Sequence, residues 1–552
     1  MSLILFLSIF LFSSFRKADD TKTVDICIYG GTSGGVIAAY TAKQMGKSVL
    51  LIEPRKNLGG MSSGGLGQTD IGNKYVVSGL ALDFYRRIGA HYGELEQWIF
   101  EPKVAEAIFN DYIDRANIEV WYESRLSRVK KKKNTIKEIT LESTCNKSAP
   151  YKRVKAKMFI DCTYEGDLMA KAGVTYTIGR EANSLYNETY NGVQLREAHQ
   201  FDVDIDPYKV PADKSSGLLW GITDETLKSS GTGDHKVQAY NFRICLTNNK
   251  ENMIPITRPE NYDPSKYEML VRLAEKSNWT SLSDLMILSR MPNNKTDINN
   301  RGAFSSDMIG ANWDYPDANY DKRDKIWKAH EDYNKGLLYF IGHNERMPKN
   351  IRDLMLAWGY PKDEYINNRN WSHQLYVREA RRMVSDVVMT QHHCQGREVI
   401  KDAVGWAAYR MDSHNCDRLV VNGLVMNEGD VQIGGFGPFP ISYRSIVPKE
   451  KEVNNLLVPF CLSASHIAFG SIRMEPVFMV LSQSSAVAAC LAIDNTNHVV
   501  QEVDVAKIQQ VLTTNPLADN TTPDLVIDNH NTNLVTLNGN WETSTYGAYG
   551  PN

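Results

Sequence analysis

The chain has 552 residues, of which 42% are hydrophobic and 23% charged, with a formal net charge of −3. A chain of that length accommodates about two to four domains, and the composition is that of a globular protein. The balanced charge and the absence of a long basic tract exclude a protein built for non-specific nucleic-acid binding.

The chain opens on Leu3–Phe12, an apolar run too short to span a bilayer, followed by Ser13, Ser14 and charged sequence from Arg16. It reads as a signal peptide over residues 1–18, which makes the mature protein secreted or periplasmic. No Lys or Arg precedes the run and no small-x-small cleavage site stands out, so an uncleaved anchor or a misplaced start is the alternative. No other segment is read as reaching transmembrane length, which leaves no membrane span after signal removal.

Val24–Tyr29 predicts a strand, and Gly30, Gly31, Thr32, Ser33, Gly34 and Gly35 form the turn after it. A helix of small residues and a second apolar strand, Val49–Ile52, complete a βαβ unit that ends at Glu53. Glycines let the backbone approach a pyrophosphate, and the helix N-terminus directs its free N–H groups at it. An acid about 20 residues on accepts hydrogen bonds from an adenosine ribose, which favours FAD or NAD over NADP. Arg55 is placed in the same cofactor site. Aligned as G-x-G-x-x-G, the motif carries Thr32 where the middle glycine is expected, with Gly31 and Gly34 beside it.

The glycine-rich segment Leu58–Gly67, containing Gly59, Gly60 and Met61, predicts a loop lying beneath a planar cofactor, or an ordinary flexible loop. A helix is expected near Trp98–Ile113, then strand-like runs at 118–122, 126–129 and 136–141, with Lys130–Lys133 in a hairpin turn. The strand 156–161 ends in Asp161, followed by Thr163 and Gly166. A β-meander between a dinucleotide βαβ unit and a strand ending Asp-x-Thr is the organisation of flavoproteins with two dinucleotide-binding domains. Residues 19–180 are therefore assigned to the first part of an FAD-binding domain.

Residues 181–449 form a polar substrate or cap domain rich in Tyr and Trp, with a helix expected over Tyr376–Val384. Residues 450–515 return to the FAD-binding domain: a strand at Asn455–Pro459, a loop over Cys461–Arg473, and a helix from Glu475-Pro476 to about Ile493. Proline suits a first helical turn. Such a late helix points its positive end at the flavin N1–C2=O edge, which becomes anionic on reduction. The eight cysteines read as buried thiols without an identifiable pair, and His392–Cys394 and His414–Cys416 fit no zinc spacing, so no metal is expected.

The motifs Gly30–Gly35 with Glu53, Gly59–Met61, Asp161–Asp167, Gly179–Glu181, Tyr240–Arg243, Lys295–Asn300, Tyr376–Arg382, Asp412–His414, Ser442–Arg444 and Ser463–Pro476 resemble the FAD-dependent oxidoreductase family, whose bacterial members are often named xanthan lyases. The resemblance covers nearly everything from Val24 to Ile493. It implies an α/β fold: a Rossmann-type, glutathione-reductase-like FAD-binding domain with an inserted β-meander, and a mixed α+β substrate domain. Residues 520–552 resemble the start of a galactose-binding-like β-sandwich that is cut short. Gln483–Ala486 departs from the pattern, because Gly or Ala is expected there for close packing against FAD. No histidine accompanies Gly59–Met61, where histidyl-linked relatives attach flavin, so FAD is expected to be non-covalent.

Oxidising a carbinol needs a base, and His466 lies just before the flavin-facing helix. Arg473, in the same segment, is placed to hold a substrate oxygen or carboxylate, or to steady the reduced flavin. His414 and Arg444 are further candidates from the substrate domain. Each also has a purely structural reading. Three functions stay open: an exported oxidoreductase acting on a sugar or polyhydroxylated metabolite, a flavoenzyme reducing or desaturating a carboxylate, and a non-catalytic carbohydrate-binding protein retaining FAD. The expected partner is a small-molecule or carbohydrate substrate, and the electron acceptor is not identifiable.

Overall fold

The computed structural model describes residues 21–146, 148–495, 497–521 and Thr536. The signal peptide and, apart from Thr536, the strands expected in the tail lie outside the described residues.

A seven-stranded sheet carries the cofactor motifs. Its strands are β1 (Thr21–Tyr29), β2 (Val49–Ile52), β3 (Glu119–Trp121), β4 (Ser124–Lys132), β5 (Thr135–Ser143), β6 (Lys152–Asp161) and β7 (Leu456–Leu457). The order is β3-β2-β1-β6-β5-β4, with β7 also pairing β6. β3, β2, β1, β6 and β7 are parallel; β4 and β5 are antiparallel. The parallel part is buried on both faces, because alternate side chains feed separate cores. Ile26, Ile28, Leu51 and Ile160 enter one apolar cluster, whereas Cys27, Tyr29, Leu50 and Phe159 enter the other.

The β-meander expected between the βαβ unit and β6 is present, but the run 118–122 is not part of it. Those residues form β3 and extend the parallel sheet beside β2, with Leu51 opposite Val120. The hairpin turns at Lys133, whose φ is 55°. The helix expected at 98–113 begins later, spanning Pro102–Arg115 with proline in its first turn.

Three helices position the site: α1 (Ser33–Gln44), α2 (His466–Ile472) and α3 (Glu475–Asp494). α2 corrects the loop expected over 461–473. Ser465 caps it by accepting from the Ala468 N–H, and His466 is its first residue. α3 is long and apolar enough to cross a bilayer, which corrects the expectation that no second segment reaches that length. It is a core helix, buried along almost all of its length and packed against α1.

The middle region builds a five-stranded antiparallel sheet, in the order Met253–Pro255, Gly359–Pro361, Ile244–Thr247, Lys295–Asn300, Met286–Met291, with the long helix Tyr320–His343. The helix expected at Tyr376–Val384 does not form. That stretch is extended, bridging Asn241 at Tyr376 and pairing Thr177 at Arg382. Its charged side chains are held by separate elements: Arg378 by Asp307, Arg381 by Asp167, Arg382 by Glu181. Buried charges need such partners, and their positions override helical propensity.

Candidate active site

The chain crosses from β1 into α1 with Gly30 at φ +104°, a left-handed conformation that costs glycine nothing. A Cβ at Gly30 would lie 2.8 Å from the Cys162 backbone, and one at Gly35 would collide with the carbonyl oxygen of Gly30. Thr32 replaces the middle glycine without strain, since its φ of −66° is ordinary. It caps α1 by accepting from the Gly35 N–H at 3.2 Å and donates to the Cys162 carbonyl at 2.8 Å. A Cβ at Gly34 would strike Ser482 of α3, so close helix packing falls there. The Gln483–Ala486 departure is thereby accounted for: Gln483 turns away to accept from the Leu80 N–H and donate to the Pro516 carbonyl.

Glu53 is buried at the end of β2. Its Oε2 accepts from the Gly31 N–H and its Oε1 from the Arg55 N–H, both at 2.7 Å. Burial pushes its carboxyl up to about 7 despite these bonds. Gly30, Thr32, Glu53, Arg55, Thr163 and Tyr164 line one side of a cavity of about 420 Å³. The middle region supplies the facing wall, including Trp327, Trp371, His373 and Gln374. The Arg55 guanidinium lies 3.4 Å from the centre of the Trp327 ring.

Asp161 does not face this cavity. It is fully buried, accepts from the Thr163 N–H and hydroxyl and the Met169 N–H, and so fixes the loop that presents Thr163. Gly166, at φ +67°, begins the short helix that follows. The glycine-rich segment is not wholly a loop: Gly60–Ser63 is one helical turn, and the Met61 N–H donates to the Tyr164 hydroxyl at 2.9 Å. Glu475, followed by Pro476 in the first turn of α3, accepts from Ser33 at 2.5 Å, Tyr164 at 2.7 Å and Ser62 at 3.1 Å. The N-termini of α1 and α3 and the glycine-rich turn therefore meet at one carboxyl group.

The proposed reacting residues are held by three different sets of partners. His414 and Arg473 come together through Asp412, whose Oδ2 lies 3.6 Å from His414 Nε2 and 3.1 Å from Arg473 Nη2. His414 Nδ1 is held by Asp307 at 2.7 Å, and Asp307 also takes Arg378 at 3.0 Å. Arg378 lies over the Tyr376 ring, and the Tyr376 hydroxyl accepts from Arg473 Nη1 at 3.2 Å. Burial, then the Arg378 charge, lowers the His414 pKa, so its ring is neutral.

His466 has no free ring nitrogen. Nδ1 bonds Glu379 at 2.7 Å and Nε2 bonds Ser413 at 3.0 Å. Burial and the Arg382 and Arg180 charges lower its pKa to about 3, so it donates to Glu379 as a neutral ring. The structure thus gives His466 a packing role in place of the proton-accepting one expected. Arg444 is not joined to the Asp412 cluster by the contacts of its side chain, which is exposed and paired with Asp402.

Sequence reasoning missed Tyr164, Trp327 and His373. Tyr164 sits inside the Asp161–Asp167 motif, which was the available signal. Trp327 and His373 carry none, because they reach the cavity only through tertiary folding. His373 is buried with Nδ1 unpartnered, and burial lowers its pKa to about 3. Among the described residues, Glu101, Asp363 and Glu364 are spaced for a metal, but the Lys295 ammonium bridges them at 2.6, 2.8 and 2.6 Å.

A family model described as FAD dependent oxidoreductase matches residues 25–512. No curated protein matches the chain. Among solved structures, THI4 of Thermovibrio ammonificans is 18% identical, covering 28% of this chain and 63% of its own at a TM-score of 0.22. L-proline dehydrogenase from P. horikoshii is 18% identical over 30% of this chain and 25% of its own, with a TM-score of 0.18. A flavoprotein/dehydrogenase from Cytophaga hutchinsonii is 16% identical over 28% and 42%, with a TM-score of 0.21. The matched segments span less than two thirds of each of these three chains.

Proposed function

The chain belongs to the family of FAD dependent oxidoreductases, and from that premise we propose that it moves a hydride between a hydroxylated small molecule, such as a sugar, and a non-covalently held flavin. The observation that carries this reading is Glu53. Its carboxyl is fixed by two backbone N–H groups at the rim of a cavity that also takes in Gly30 and Thr32 at the start of α1. That is the donor and acceptor set an adenosine ribose and a pyrophosphate need. The residues fit the cofactor: Gly30, at a left-handed φ, and Thr32, the N-cap of α1, line the cavity together with Glu53, Arg55 and Thr163.

FAD, when bound, supplies a two-electron acceptor for a hydride leaving a carbinol carbon. The chain supplies the rest. Asp307 accepts from Nδ1–H of His414, which fixes the tautomer and leaves Nε2 to take the carbinol proton. Arg473 holds a substrate oxygen, itself positioned by Asp412 and Tyr376. Burial of this cluster excludes water. Export is proposed from the apolar run Leu3–Phe12.

The test is anaerobic bleaching of the flavin absorbance by a panel of sugars and other hydroxylated compounds. Reduction by at least one carbinol compound supports the reading. A flavin that no carbinol compound reduces, but that oxidises or is reoxidised by unsaturated carboxylates, favours the carboxylate-reducing alternative.

A further inference from the structure

Arg243 and Arg473 each carry a buried N–H with no hydrogen-bond partner. Arg243 Nη1 and Arg473 Nε are the atoms concerned. Their side chains are 3% and 2% exposed. Unpaired buried donors are rare in folded proteins, because each forfeits its hydration without replacement. On a guanidinium the cost is greater still, since the group stays charged.

The rest of each side chain is fixed. Arg243 donates through Nε to Asp297 at 2.8 Å and through Nη2 to the same carboxylate, while Asp70 Oδ2 stays 3.8 Å from Nη1. Arg473 spends Nη1 on Tyr376 and Nη2 on Asp412. Both guanidinium carbons lie 6.0 Å from the centre of the Tyr376 ring. Neither side chain can swing to satisfy its remaining N–H without giving up a charged partner.

Both residues also adjoin segments that the sequence assigns to the flavin. The backbone of Arg243 packs so closely on the glycine-rich segment that a Cβ at Gly65 would strike its carbonyl. Arg473 lies two residues before Glu475, at the start of α3. His414, the neutral histidine with Nε2 free of a close partner, reaches the same place through Asp412.

We propose that the substrate carries a carboxylate, and that this group takes the open N–H positions of Arg243 and Arg473 beside Tyr376, with a carbinol presented to His414. The substrate class is then a hydroxy acid. A carboxylate offers two oxygens with lone pairs in one plane, so it accepts from two guanidiniums at once, and charge-assisted bonds of that kind are the strong ones. Neutral sugar hydroxyls can also accept from both, but without the negative charge that two guanidiniums favour. The inference rests on the oxidoreductase reading and sharpens its substrate.

The test is calorimetric titration of the FAD-loaded wild-type protein with glycolate, the smallest hydroxy acid, with ethylene glycol, its neutral counterpart, and with inorganic phosphate. Glycolate is expected to bind saturably and to shift the flavin absorbance, whereas ethylene glycol and phosphate do neither. Arg473→Lys and Arg243→Lys, which keep the charge but lose the open N–H, are expected to weaken glycolate by about tenfold or more, the factor for one charge-assisted bond. Equal binding of ethylene glycol overturns the proposal, as does phosphate binding as tightly as glycolate. Unchanged glycolate affinity in both lysine variants also overturns it. The wild-type comparison decides even if a variant fails to fold. A protein that is reduced by neutral sugars yet ignores glycolate contradicts this inference alone; one that cannot hold FAD contradicts the oxidoreductase reading.

Discussion

His414 Nδ1 lies 2.7 Å from Asp307 Oδ2, and the same carboxylate takes Arg378 at 3.0 Å. The Arg378 and His414 contacts hold Asp307 ionised, well below the usual carboxylate range, although burial opposes this. The histidine is neutral by burial, so the pair presents an oriented ring with Nε2 as acceptor.

His414→Ala should slow flavin reduction roughly 100-fold or more, the contribution of a positioned general base. FAD content should stay unchanged, since His414 is not among the residues lining the Glu53 cavity. The neutral ring is the competent form and its pKa is lowered, so the acid limb of the reduction rate should lie below pH 6.5. Stopped-flow reduction across pH measures both. A wild-type rate in His414→Ala removes it as the base.

His466→Ala should act on stability. It strips Glu379 and Ser413 of a buried partner, which costs about 2–4 kcal/mol. The sign with pH follows from its lowered pKa of about 3. Below pH 6.5 the unfolded chain gains a proton that the folded chain refuses until about pH 3. The stability owed to His466 is therefore full above 6.5 and falls as pH drops, by up to about 1.4 kcal/mol per unit. Urea unfolding of wild type and His466→Ala at pH 5 and pH 8 should show the variant less sensitive to acid. A variant with wild-type stability at both contradicts the packing role.

Gly35→Ala should abolish FAD binding or folding, because its Cβ has no place beside the Gly30 carbonyl. Gly46→Ala is the control. Its φ is +79° but nothing lies within 4 Å of the added Cβ, so only the backbone preference is lost, about 1–2 kcal/mol. Circular dichroism and flavin absorbance separate the two. Gly35→Ala protein with full FAD occupancy contradicts this steric limit.

The βαβ unit and α3 were legible because their apolar runs are local and continuous, and the hairpin and β6 because turn residues and short alternating runs mark them. Tyr376–Val384 was not, since its arginines answer to Asp307, Asp167 and Glu181 from distant elements. The site divides the same way. Glu53 and Gly30 lie within one motif and could be named from it. The choice between His466 and His414 turns on which ring nitrogen is left unbonded, a property of Glu379, Ser413 and Asp307 that spacing does not encode.

On the proposed reading the chain holds FAD without a covalent bond, with its ribose on Glu53. The direct measurement is flavin content of purified wild-type and Glu53→Ala protein after acid precipitation. Wild type should be yellow, with close to one FAD per chain released to the supernatant. Glu53→Ala should bind FAD roughly tenfold to 100-fold more weakly, reflecting one lost set of charge-assisted bonds worth about 1.5–3 kcal/mol. Wild-type protein that stays colourless after incubation with FAD, or a Glu53→Ala variant that is folded and binds FAD as tightly as wild type, contradicts the account.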